Sequence, residues 1–219
     1  MRVNEQGRSM IEMLGVLAIV GVLSVGGIAG YSKAMAKFKT NKVIDQVNTI
    51  STNIRTLYSS QRNYSGLNNG TAIKMALIPS EMYQPDSQNN YASTEAVTNA
   101  FGGNTKVEAI LQGTAVAGSE NAYMIAIDAL PKTACVSIVT TDWGGDSGSG
   151  LVAMYASSAA DASVDAAKTA LNKDITTNNG DSSEGTLLAV PGSDVTTPVT
   201  IGQAEKTCGD NNVIAWKFQ

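Results

Sequence analysis

One carboxylate, Glu12, stands in an otherwise apolar run and is the only charge between Ser9 and Ser32. An ionised carboxylate sunk in hydrocarbon costs roughly 3 kcal/mol or more, so its presence there demands a cation. Arg8 is one helical turn away; a positive group on another molecule is the alternative source. Elsewhere the chain is poor in chemistry. It contains no His, which removes the commonest general base and the commonest metal ligand. Its two cysteines, Cys135 and Cys208, are about 70 residues apart and lack the close spacing of metal ligands. No Ser/His/Asp set, phosphate-binding loop or metal cluster emerges, so neither an enzyme nor a cofactor is expected.

The elements that must position Glu12 follow from hydrophobic periodicity. At 1.5 Å per residue, an apolar helical run of about 20 residues spans about 30 Å, the thickness of a bilayer's hydrocarbon core. Gly15, Gly21, Gly26, Gly27 and Gly30 interrupt that run. Small residues let membrane helices approach closely, and Gly26-Gly27 is the place where such a helix would soften. Beyond it, Val43, Val47, Ile50, Ile54 and Leu57 recur on one helical face. One long helix over 9–60 is therefore expected, apolar all round in its first half and amphipathic in its second.

A polar leader ending in Gly7, then Glu12 as the fifth residue after it, then an unbroken apolar helix: this pattern resembles the type IV prepilin signature. The resemblance implies that a prepilin peptidase cuts between Gly7 and Arg8 and that the new amine of Arg8 is N-methylated. It also implies that Glu12 pairs with the N-terminal amine of a neighbouring subunit during assembly. The family usually has a large apolar residue after the cut; here it is Arg8, which also offers a counter-charge to Glu12. A second cleavage reading exists, because Ala34-Met35-Ala36 is a string that an ordinary signal peptidase accepts, although the apolar run is long for a cleaved signal.

Charge divides unevenly. Residues 1–62 carry eight Lys/Arg and three Asp/Glu, and the remainder carries seven and sixteen. The acidic remainder argues against nucleic acid as a partner. Lys33, Lys37, Lys39 and Lys42 follow the apolar run, whereas only Arg2 and Arg8 precede it. The positive-inside rule would put the lysines in the cytoplasm, but a large polar head is expected outside. In that compartment Cys135 and Cys208 either form one disulfide or remain two buried thiols; an oxidising environment favours the bond. The pilin pattern likewise has a disulfide tying down the C-terminal region.

Strands are expected at 122–127, 134–139, 151–155 and 213–218, with a weaker one at 186–190. A short helix is expected at 71–77, a surface helix at 159–173 and another before Cys208; residues 59–118 otherwise read as connection, punctuated by Pro79 and Pro85, and 176–185 as a polar loop. Residues 156–184, with the Asp/Gly loop 142–150, are expected to form the exposed face; that loop's oxygen atoms make calcium a minor alternative. The strings Thr98-Asn99-Ala100-Phe101-Gly102-Gly103, Leu130-Pro131-Lys132-Thr133-Ala134-Cys135 and Glu205-Lys206-Thr207-Cys208 resemble the type IVb pilins. The expected fold class is α+β, a long N-terminal helix packed on an antiparallel sheet head with a disulfide-closed C-terminal region. The expected division is a leader (1–7), a membrane or filament-core half-helix (8–31), an amphipathic half-helix (32–60) and a globular head (61–219). The resemblance implies a pilus subunit, made as a single-pass inner-membrane prepilin and then exported into an extracellular homo-oligomeric filament. Its partners would be the prepilin peptidase, the assembly machinery and membrane lipid. A pseudopilin or minor pilin of a secretion system, or a membrane-anchored binding domain, are the alternatives.

Overall fold

The computed structural model describes residues 6–84, 97–144 and 149–219, with side chains from Met10 onward. Two compact units emerge, Met1–Lys39 and Thr40–Gln219. Helix α1, Gln6–Tyr58, contributes to both.

In the second unit, seven strands among the described residues form one antiparallel sheet. They are β1 (Val97–Thr98), β2 (Asn104–Ile110), β3 (Ala122–Leu130), β4 (Leu151–Ser157), β5 (Asp181–Ser183), β6 (Thr186–Ala189) and β7 (Asn212–Phe218). Their order is β1-β2-β3-β7-β4-β6-β5, so the C-terminal strand lies in the middle, between β3 and β4. The helices are α2 (Asn69–Lys74), α3 (Lys132–Val139), α4 (Val164–Leu171) and α5 (Ile201–Thr207).

Strand alternation sorts side chains onto two buried faces. Tyr123, Ile125 and Ile127 of β3, with Ile214, Trp216 and Phe218 of β7, join a core that includes Val43, Val47, Ile50 and Ile54 of α1. The expected stripe on α1 is thus buried over four of its five residues. Leu57, one residue before the helix ends, is 40% exposed. Burying each of these Val and Ile side chains contributes about 1.5–3 kcal/mol.

The opposite face is covered too, by a segment within 156–184 whose outer side stays exposed, as expected. Ala122, Met124, Ala126, Ala153, Val213 and Ala215 pack with Ala167 and Leu171 of α4. Four of the six are alanines, and their small side chains let α4 approach the sheet closely. The helix is shorter than the sequence suggests because the Ser163 hydroxyl accepts from Ala166 N at 3.1 Å and fixes the N-cap there. Ion pairs of Lys106 with Asp165 and of Lys168 with Glu108 tie α4 to β2, and the bond from Lys106 holds the Asp165 carboxyl below its usual range.

Lys217 belongs to this second face and is fully buried. Its ammonium donates to the carbonyl oxygens of Leu111 (2.6 Å), Leu171 (2.8 Å) and Lys173 (2.6 Å). Around it, Gln112 exchanges two hydrogen bonds with the Ile175 backbone, and Asn172 Oδ1 accepts from Leu111 N at 2.8 Å. Burial pushes the Lys217 ammonium down to about 8, opposed by the Asp174 carboxylate.

Three further expectations are corrected. Residues 134–139 are helix, not strand: Ala134, Cys135, Ile138 and Val139 are the buried set, which is a helical spacing, and Pro131 sits at the N-cap. Residues 104–110, read as connection, form β2, whose buried Thr105 and Val107 alternate with Lys106 and Glu108. The polar loop 176–185 contains β5, joined to β6 through Gly185 at φ +72°. The helix expected at 71–77 is α2, shifted to Asn69–Lys74 by the N-cap bond from Thr71 N to Asn68 Oδ1. Pro85 lies outside the described residues.

Candidate assembly site

α1 carries the residues expected at the leader cut and in assembly, Gly7, Arg8 and Glu12. Gly7 and Arg8 lie in its first helical turn, and Glu12 follows one turn after Arg8, exposed. Its flanking residues are exposed on every side: Met10 by 70%, Ile11 by 73%, Met13 by 63% and Leu14 by 66%. An amphipathic helix would bury one stripe and expose the other; this segment is apolar all round, which fits lipid or packing among other helices. An 18-residue window of mean hydropathy 2.2 has none of its residues buried within the protein. The segment is long and apolar enough to cross a membrane.

The glycines add a second observation. A Cβ placed on Gly15, Gly21, Gly26, Gly27 or Gly30 would meet nothing within 4 Å. Their smallness therefore relieves no crowding inside this chain. The helix continues unbroken through Gly26-Gly27, and the Ser24 hydroxyl is satisfied by Val20 O at 2.7 Å.

In the second unit, Cys135 of α3 and Cys208, the C-cap of α5, form a disulfide with Cα atoms 5.9 Å apart. α5 begins at a capping box between Thr200 and Gln203, which satisfies orphan donors at its start. The string Thr98–Gly103 is a turn seated against β3. Asn99 Oδ1 accepts from Phe101 N (2.8 Å) and Gly103 N (3.3 Å), while its Nδ2 donates to Asp128 O at 2.8 Å. Among the described residues, no group of three or more His, Cys, Asp or Glu converges to hold a metal. Residues 145–148 of the 142–150 loop lie outside the described residues.

Residues 37–188 match the family model described as PilS N terminal. The chain belongs to the PilS family, among the type IVb pilins.

Two curated relatives agree with that assignment. This pilin is 31% identical over 142 residues to the major structural subunit of the bundle-forming pilus of Escherichia coli O127:H6, and equally to that of Escherichia coli O111:H-. The matches cover 64% of the pilin and 66% of each relative, just under two thirds of their length. The crystal structure of TcpA, a type IV pilin from Vibrio cholerae El Tor biotype, superposes with a TM-score of 0.54 at 19% identity. That superposition covers 83% of this pilin and 99% of TcpA and establishes the shared fold.

In this pilin Glu12 belongs to the first unit, and Cys135 and Cys208 belong to the second. Two residues that the sequence reading passed over carry structural weight. Lys217 shares the alternation of Val213 and Ala215, which would have placed it under the sheet. Arg55 donates from Nε to the Tyr123 hydroxyl (3.2 Å) and lies over the Phe218 ring at 5.0 Å, fixing the end of α1 to β3 and β7.

Proposed function

We propose that this chain is the structural subunit of a type IV pilus. It is inserted in the inner membrane as a single-pass prepilin, cleaved between Gly7 and Arg8 by a prepilin peptidase, and N-methylated on Arg8. It is then polymerised by the assembly machinery into an extracellular filament of identical subunits. The observation that carries this reading is the exposed, all-apolar first half of α1 with one carboxylate in it. Neither a soluble state nor a packed monomer accounts for both.

The mechanism is electrostatic and hydrophobic. In lipid, Glu12 is costly unless paired. Removal of residues 1–7 creates a positive amine at Arg8. Glu12 of an incoming subunit is drawn to the amine of its neighbour, which selects one axial register. Burial of the apolar helices against one another then supplies most of the cohesion, and the glycines permit close approach.

The test is Glu12→Gln, which keeps shape and removes charge. Processed protein is expected in the membrane, its N-terminus at Arg8 by mass spectrometry, with no filaments in electron micrographs of cell-surface shear fractions. Normal filaments in Glu12→Gln, or an N-terminus other than Arg8 in the wild type, overturn the reading.

A further inference from the structure

We propose that Tyr31, Lys33 and Lys37 form an interfacial collar that binds the headgroups of anionic phospholipids while the chain resides in the bilayer, an inference that rests on reading the first half of α1 as a membrane span.

The distances are set by the helix. Twenty residues from Met10 end at Ala29 and cover about 30 Å of hydrocarbon. Tyr31 then stands about 3 Å past the hydrocarbon edge, Lys33 about 6 Å and Lys37 about 12 Å. The headgroup region adds about 5–8 Å on each side. Cα–Cβ bonds in a helix tilt toward its N-terminus, so the side chain of Lys37 reaches back toward the bilayer. Tyrosine favours this depth because its ring is apolar and its hydroxyl polar.

All three side chains are exposed, Tyr31 by 66%. Lys33 and Lys37 are four apart and share one helical face, with Tyr31 on the other side. From Glu12 to Asp45 the sequence has no acidic residue, so nothing on this stretch of helix neutralises the two lysines. Neither makes an ion pair among the described residues, whereas Lys42, further along, pairs with Glu81 at 3.2 Å.

Charge gives the collar its chemistry. With the head outside, these lysines lie on the face that the positive-inside rule disfavours. Each lysine near an anionic surface is attracted to it. Anionic headgroups therefore offset the unfavourable placement and hold the helix at a fixed depth until it is withdrawn into a fibre.

The experiment uses the full chain carrying Tyr31→Trp, reconstituted in phosphatidylcholine vesicles in which part of the lipid is brominated phosphatidylglycerol or, in parallel, brominated phosphatidylcholine. The unsubstituted chain supplies the background from Trp143 and Trp216. Quenching by the anionic lipid is expected to exceed that by the zwitterionic one by about twofold or more, and Lys33→Gln with Lys37→Gln should make the two equal. Equal quenching with both lysines present overturns the proposal, as does a preference that survives the double substitution. If equal quenching is accompanied by loss of filaments in the double variant, the lysines face a second subunit instead. A Val22→Trp chain separates the two levels: quenched equally by both lipids, it leaves the membrane span standing even where the collar fails; unquenched, it removes both.

Discussion

Lys217 Nζ lies 2.8 Å from the carbonyl oxygen of Leu171, the last residue of α4, although 46 residues separate them. The last carbonyls of a helix have no partner within it, and here a buried ammonium from the central strand satisfies one. The same ammonium reaches Leu111 and Lys173, so one side chain joins the middle of the sheet, the end of α4 and the loop after β2.

That geometry sets a pH dependence. The native ammonium titrates at about 8, against 10.5 when unfolded, because burial disfavours the charge. Below pH 8 both states hold the proton and the contribution is constant. Between pH 8 and 10.5 the unfolded state holds it and the folded state does not, so stability rises with pH. Relative to Lys217→Met, the wild type should gain on the order of 2–3 kcal/mol across this window, measured by urea unfolding. A fall over the same window would mean that three carbonyls retain the proton more strongly than burial expels it. At pH 7 hydrogen exchange should show α4 losing protection first in Lys217→Met.

Gly103 presents a different constraint. A Cβ there would sit 2.3 Å from Asp128 O and 2.6 Å from Ala129 Cβ. Both neighbours belong to the irregular end of β3, where the register with β7 shifts and Ala129 adopts φ +56°. The turn cannot back away without breaking the Asn99–Asp128 bond. Gly103→Ala should destabilise the head by about 1–3 kcal/mol, read as a lowered midpoint in thermal unfolding. Gly66→Ala, with open space but φ +84°, measures the backbone cost alone.

Much of this was legible beforehand, for identifiable reasons. The Val43–Ile54 stripe is written at helical period, and the apolar run before it has no polar competitor. β3, β4 and β7 are continuous apolar runs because both their faces are buried. Each segment that departs from its sequence pattern does so for a physical reason. The 134–139 segment is apolar at positions compatible with either period; its packing against β7 and α5 accompanies the helix, whose buried set is Ala134, Cys135, Ile138 and Val139. β2 carries Lys106 and Glu108 on a face that α4 covers with opposite charges, so its alternation looked like surface loop. β2 is also an edge over most of its length, closed by Asn69 and Leu67: Asn69 Oδ1 accepts from Val107 N, and Leu67 O from Ala109 N. Glu12 was legible by type and spacing as a lone carboxylate in an apolar run; the counter-charge proposed for it belongs to another molecule, so a single chain does not display the pair.

The disulfide ties α3 to the end of α5 across 73 residues of sequence. On the chain-entropy model, closing such a loop contributes roughly 4 kcal/mol. Cys135→Ser with Cys208→Ser should lower head stability by an amount in that range, measured by chemical denaturation with and without reductant. Reductant should shift the wild type toward the double variant and leave the variant unchanged. The loss should appear first as exchange in α5, whose buried contacts beyond the bond are few: Ala204 and Thr207.

The glycines of α1 allow a test that separates the chain's own needs from those of its assembly. A Cβ at Gly26 or Gly27 would touch nothing within 4 Å, so Gly26→Ala with Gly27→Ala introduces no clash within the chain. Alanine is the better helix former by about 1 kcal/mol per position in water. Helicity in detergent should therefore be unchanged or slightly higher, and the melting temperature of the head unchanged. If many copies pack through these positions, the added methyl groups hold backbones apart and stiffen a segment that must adapt. Filament yield in shear fractions should then fall several-fold while processed protein accumulates in the membrane. Normal yield would mean that the small residues serve neither close packing nor bending, and cohesion would have to rest on the larger apolar side chains, Leu14, Leu17 and Leu23 among them, that α1 leaves exposed.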